Sequence, residues 1–227
     1  MIISLKNVNK IFSNDGKLNH VLKNVNLEVA AGEMVVIRGA SGSGKTTLLN
    51  IIGGLESVSN GEISVSNHQL EMLTLQDLTK YRARHIGFIY QFYNLIPTLT
   101  VLENILSGLE AVRPVNQKDI DLAIDYLDSI NLKSHQDYFP SRLSGGQQQR
   151  VAILRALIKQ PSVILADEPT GSLDDENTSL VIKLIQTVRH EFNTAVIVVT
   201  HNLQSFEKAN SFYDMKLGYL AKSSNHG

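Results

Sequence analysis

Three short stretches hold residues whose types and spacing can do chemistry. Gly39-Ala40-Ser41-Gly42-Ser43-Gly44-Lys45-Thr46 matches the pattern G-x-x-x-x-G-K-[ST] in full. Its glycines let the backbone curl until successive N–H groups point inward at phosphate oxygens. A helix starting at that point adds the positive end of its dipole. Lys45 is placed to neutralise β- and γ-phosphate charge, and the Thr46 hydroxyl to ligate Mg²⁺. The second stretch is Asp167-Glu168, directly after the apolar run Val163-Ile164-Leu165-Ala166. A carboxylate at the carboxyl end of a strand can hold Mg²⁺ through its water shell, which is the reading for Asp167. Glu168 then stands where it can accept a hydrogen bond from an attacking water and act as general base. His201 closes a third apolar run, Val196-Ile197-Val198-Val199-Thr200. A lone histidine at a strand end is more often structural than catalytic, and this one gains weight from its company. A chance glycine-rich turn would explain the first stretch alone, and a solvated acidic turn before Pro169 the second. The strand before the loop and the helix after it are what a phosphate site requires.

The elements that position these residues can be read from patterning. Residues 2–7, 21–29 and 33–38 are rich in Val, Ile and Leu and are separated by turn formers such as Asn14-Asp15-Gly16 and Ala31-Gly32, so they read as strands. The third feeds the glycine-rich loop, and Lys45 to Ile52 reads as a helix ended by Gly53-Gly54. Ser59-Asn60-Gly61-Glu62 carries the Asn-Gly of a tight hairpin. Between about residues 95 and 157 the period turns helical, with Ile120, Ala123, Ile124, Leu127 and Ile130, then Val151, Leu154, Leu157 and Ile158. Residues 162–166 and 194–200 are continuous apolar runs, as in strands buried on both faces of a parallel sheet. Leu180, Ile182, Leu184, Ile185 and Val188 pattern a helix between them. The chain therefore reads as a mixed α/β body interrupted by a helical insertion, with a short polar tail from Lys222.

Composition sets the outer limits. The 227 residues suit one large domain, and 43% hydrophobic with 19% charged residues is ordinary globular composition. A net charge of −1 gives no electrostatic reason to expect nucleic acid. Without cysteine there are neither disulfides nor thiolate chemistry, which fits a reducing cytosol. No apolar run approaches the roughly 18–20 residues needed to cross a bilayer, and the N-terminus does not read as a secretion signal. If the protein acts at a membrane, another chain must supply the membrane part.

Leu143-Ser144-Gly145-Gly146-Gln147, after the helical insertion and ahead of the Asp167 strand, resembles the signature motif of the ATP-binding-cassette family. The resemblance covers nearly the whole chain. It implies the P-loop cassette fold: an α/β class with a mixed sheet core, an antiparallel β subdomain and an inserted helical subdomain. The chain would be one domain, 1–227, with its core in 1–91 and 155–227 and the insertion in 92–154. Site residues follow position by position. Phe12 would stack on adenine. Gly39 through Thr46 and Thr47 would bind the ATP phosphates. Gln91 would touch Mg²⁺ and the attacking water, and His201 the γ-phosphate. Ser172-Leu173-Asp174 would cross between partners. Ser144, Gly145, Gly146 and Gln147 would form a second anion nest at a helix start near Gln147. That nest would cover the γ-phosphate bound by a second copy, sandwiching two ATPs in a head-to-tail homodimer.

Residues 84–104, together with 165–174, are similar to the cassettes of bacterial lipoprotein-release, macrolide-efflux and bacitracin-type peptide-resistance systems. The resemblance implies an ATPase at the cytoplasmic face of the membrane, driving a separate integral-membrane permease. The aromatic and apolar segment 92–104 would line the groove that receives the permease. Residues 214–220 depart from that group, being shorter than its usual strand pair and lacking its Asp-Gly turn. A cassette regulating a non-transporting, cell-division type of membrane partner is the main alternative. A nucleotide-binding module that does not hydrolyse would have to lack a base, and Glu168 and His201 are both present.

Overall fold

Two kinds of apolar pattern build two sheets. In chain order the elements are β1 (Ile3–Asn14), β2 (Lys17–Val29), β3 (Met34–Arg38), α1 (Lys45–Ile52), β4 (Asn60–Val65) and β5 (His68–Gln69). There follow α2 (Leu75–His85), β6 (Ile86–Ile89), α3 (Val101–Glu110), α4 (Gln117–Ser129) and α5 (Gly145–Leu157). The chain then forms β7 (Val163–Asp167), α6 (Asp175–Phe192), β8 (Ala195–Val199), β9 (Ser211–Lys216) and β10 (Tyr219–Lys222). The computed structural model describes residues 1–14, 16–171 and 173–223.

The six-stranded sheet has the order β10-β9-β3-β8-β7-β6 and is parallel except for its terminal β9–β10 pair. Strands β3, β7 and β8 are buried on both sides, and the period of two divides their residues between two cores. Met34, Val36, Ile164, Ala166, Val196 and Val198 pack with α3, α4, α5 and α6. Val35, Ile37, Val163, Leu165, Ile197 and Val199 pack with α1 and the second sheet. Each such side chain contributes roughly 1.5–3 kcal/mol by leaving water. The four-stranded antiparallel sheet, β2-β1-β4-β5, leans on that second core.

Two expectations change. The first two strands are longer than their apolar runs and form one hairpin, with Asn14 paired to Lys17. Asn60-Gly61 is not a turn but the start of β4, where Asn60 pairs with Asn9. A Cβ on Gly61 would lie 2.5 Å from the Asn7 carbonyl oxygen, so the glycine serves a close backbone approach. The hairpin turn comes later, at Ser66-Asn67, where both residues have positive φ (49° and 64°). Residues 214–220 lie in the β9–β10 pair, which turns at Leu217-Gly218 rather than at an Asp-Gly. Lys222 pairs with Tyr213 in that ladder, while the rest of the polar tail, 224–227, lies outside the described residues.

The helical lobe is tied to the core by polar contacts at loop ends. Asn104, fully buried in α3, bonds both the N–H and the carbonyl of Ile96 and the carbonyls of Leu99 and Thr100. Arg155 of α5 donates to the carbonyls of Tyr93 and Asn94, and its burial pulls the guanidinium pKa down. Helix α5 runs unbroken across position 155, so lobe and core share it.

Candidate functional site

Parallel neighbours bring chemistry from distant parts of the sequence to one edge. Strands β3, β7 and β8 end side by side, with Ile37 opposite Val199 and Val199 opposite Asp167. Gly39, Asp167 and His201 therefore emerge at the same carboxyl edge, the usual place for a ligand in such sheets. From β3 the loop turns through Gly42 (φ 73°) into Gly44 (φ 106°), which caps α1. A side chain at Gly44 would also meet Leu22 at 2.8 Å. No side chain caps α1, so its opening N–H groups keep their bonding capacity.

Lys45 lies mostly buried beneath the loop, its ammonium donating to the carbonyls of Gly39 (2.7 Å) and Ala40 (2.9 Å). Among the described residues the Ser43 hydroxyl is buried with no hydrogen-bond partner, a donor the loop leaves unspent. Orphaning such a group costs about 1–3 kcal/mol unless a ligand satisfies it. Both features fit a phosphate cradle. Thr46 Oγ1 donates to Asp167 Oδ2 at 2.7 Å. Among the described residues no three His, Cys, Asp or Glu side chains group as a metal site. A pair of hard oxygens next to a phosphate site is a donor set that suits a small hard cation keeping its waters.

Glu168 has a left-handed φ of 48°, fixed by its N–H bond to the Val199 carbonyl. Its carboxylate accepts from Thr200 Oγ1 at 3.0 Å and from the His201 N–H at 3.1 Å, and His201 Nε2 stands 3.5 Å away. This carboxylate is held by the residues that follow β8 and lines the cleft. Ser41, Gly42, Gly44, Lys45, Thr46, Thr47, Gln91, Asp167, Glu168 and His201 line one open cleft of about 360 Å³, with Val21 at its rim.

Other expected residues lie elsewhere. Gly39, Ala40 and Ser43 form the loop without lining that cleft. Phe12 sits half-buried in β1 with the Lys10 ammonium 4.7 Å from its ring centroid, away from the cleft. Asp174 caps α6 by accepting from the Asn177 N–H, which lowers its carboxyl pKa. Ser172 lies outside the described residues. Ser144, Gly145, Gly146 and Gln147 open α5 and do not line that cleft. The helix starts two residues earlier than expected, because Ser144 and Gln147 make a reciprocal capping box. Tyr93 presses its hydroxyl so close to Gly145 that a Cβ there would lie 2.7 Å away. The sequence reading missed Val21, the Glu168 partner Thr200, and Gln149 of α5. Thr200 carried a signal in its position next to His201.

The fold is that of a P-loop ATP-binding cassette, and the chain belongs to the ABC transporter family, whose model matches residues 22–171. It is an ATPase subunit of that family. It is 40% identical over 221 residues to the lipoprotein-releasing system ATP-binding protein LolD of Francisella tularensis, covering 97% of this chain and 96% of that protein. It is 39% identical to the macrolide export ATP-binding/permease protein MacB of Pasteurella multocida, matching 98% of this chain but 34% of that protein. Among solved structures, the dimeric post-hydrolysis cassette MJ0796 bound to ADP and Pi superimposes with a TM-score of 0.91 at 38% identity, covering 97% of each chain.

Proposed function

We propose that two copies of this chain close head to tail around two Mg-ATP and drive a separate membrane permease that exports lipoprotein, peptide or drug. The observation that carries the pairing is that the Ser144 turn is not among the residues lining this chain's own phosphate cleft. A second copy supplies it, with ATP as both substrate and glue. Similarity to LolD and MacB supports the export reading, and similarity to the dimeric MJ0796 cassette supports the pairing. Among the described residues no helix is long and apolar enough to cross a membrane, so the permease holds the pair at the inner face of the cell membrane.

Hydrolysis follows from the cleft. Loop N–H groups from 39 to 47 hold the phosphates, and Lys45 exchanges its loop carbonyls for β- and γ-phosphate oxygens. Thr46, Asp167 and Gln91 would hold Mg²⁺, which supplies charge neutralisation across the phosphate oxygens. Glu168, fixed by Thr200 and the His201 N–H, orients water and takes its proton. His201 and the second copy's signature serine stabilise the γ-phosphoryl group as it leaves. Phe12 stacks on adenine, and Asp174 belongs to the loop that crosses between copies. The proposed domain limits are core 1–91 and 155–227 with insertion 92–154.

Solution mass of Glu168→Gln with and without Mg-ATP tests the sandwich. A monomer that becomes a dimer only with Mg-ATP supports it. A variant that binds ATP yet stays monomeric defeats it for the isolated chain, and wild-type turnover defeats the base assignment. Phe92 is 77% exposed beside Gln91, which supports a permease contact there. Phe92→Glu, reconstituted with the permease, should lose transport while the cassette's own ATPase persists; unchanged transport refutes the contact.

A further inference from the structure

Gln149 sits one and a half turns into α5, 1% exposed, among Val151, Ile153 and Leu154 that are entirely buried. Its side-chain amide Nε2 donates to the carbonyl of Pro169 at 3.2 Å and reaches that of Tyr90 at 3.4 Å. Those carbonyls belong to the residue after Glu168 and the residue before Gln91. One side chain of the signature helix thus bridges the ends of two neighbouring strands, β6 and β7, where two cleft residues hang. The amide orientation is fixed by chemistry, since turning it over would set Oε1 against two carbonyl oxygens. Among the described residues its Oε1 is buried with no hydrogen-bond partner. A side chain kept only to fill this core would be apolar, whereas this buried amide ties α5 to the ends of two strands.

We propose that Gln149 is a positioning residue that couples the tilt of α5, and so the engagement of Ser144 by a second copy, to the placement of Gln91 and Glu168. The helix is the rigid link. Ser144 lies five residues from Gln149, about 7.5 Å along the axis at 1.5 Å per residue. Movement of the signature turn therefore reaches the amide within one rigid body, and the two carbonyls pass it to the cleft. This rests on the hydrolytic roles given above for Gln91, Glu168 and Ser144.

A double-mutant cycle on the intact chain tests it. Gln149→Met keeps the length and removes the donors. Its kcat for ATP hydrolysis should fall about tenfold or more, with KM within about twofold and an unchanged thermal midpoint. Ser144→Ala should then cost much less in the Gln149→Met background than alone, because the communication is already cut. Multiplying effects, wild-type kcat, or a KM that rises in step with the loss of kcat would each overturn the proposal. If Gln149→Met does not fold, Gln149→Asn, which withdraws the amide by one methylene, carries the same cycle and the same outcomes. Glu168→Gln separates the two levels: if it turns over normally the base assignment has failed. If it is inactive while the cycle is additive, only the coupling has.

Discussion

The two helix starts proposed to meet phosphate are built differently. Helix α1 opens at Gly44 with no side-chain cap, directly off a buried strand. Helix α5 opens at Ser144, exposed and closed on itself by its capping box with Gln147. Neither has an acidic residue in its first turn. The other four α-helices all do: Asp77 in α2, Glu103 in α3, Asp119 in α4, and Asp175 with Glu176 in α6. Those acids complement the helix dipole from within the chain. Helices α1 and α5 carry no such acid, which suits the anion proposed for each. The contrast between them teaches an order of events. An uncapped start backed by the sheet is incomplete without its ligand, whereas a self-capped start is stable alone and can wait for a second copy.

The largest effect should come from placing a charge in the first nest. A Cβ on Gly42 meets nothing within 4 Å, and aspartate tolerates its positive φ, so Gly42→Asp should fold. Its carboxylate would repel phosphate and weaken ATP binding about a hundredfold or more, read by calorimetric titration. Retained affinity would break the reading of that start. Next in size, Ser144→Ala should lower ATPase activity about tenfold to a hundredfold while the monomer's ATP affinity holds within about twofold. The lost cap should also cost about 1 kcal/mol in denaturant unfolding. If monomer affinity falls as well, the two starts are not separate.

The smallest effect sharpens the contrast from the other side. Arg113, and after it the Asn116 N–H, pull the Asp119 carboxyl from 3.8 down to about 2. A pKa depressed on folding adds stability that is present above about 3.8 and lost as pH falls through about 2. Asp119→Asn should therefore lower the thermal midpoint at pH 5 and flatten its decline toward pH 2, with ATPase activity unchanged. An identical decline in the variant would remove this acid from the account.

The cleft was legible because each of its parts is a local pattern fixed to the end of an apolar run, as in the loop of Gly39 to Thr46 or Asp167 after Val163–Ala166. The continuous runs that became β7 and β8 gave the parallel sheet for the same reason. Elements with little burial were harder. Helix α2 buries only Tyr81, so no apolar stripe announced it. The Asn60-Gly61 turn misled because a glycine needed for close strand approach looks the same in sequence as one needed for a turn. Gln149 and Thr200 act through partners on other strands, and those pairings exist only once the sheet has assembled.

That sheet also sets a timetable for the newborn protein. Strand β3, which carries the phosphate loop, lies between β8 and β9, both made from the last part of the chain. About 160 residues separate the end of β3 from the start of β8, or roughly 10–30 s of synthesis at 5–20 residues per second. Until then the loop has left the ribosome without the neighbours that give it shape, and Glu168 lacks the strand that aims it. A chain that has not yet made β8 is therefore expected to lack ATPase activity, because the residues that place Glu168 follow that strand.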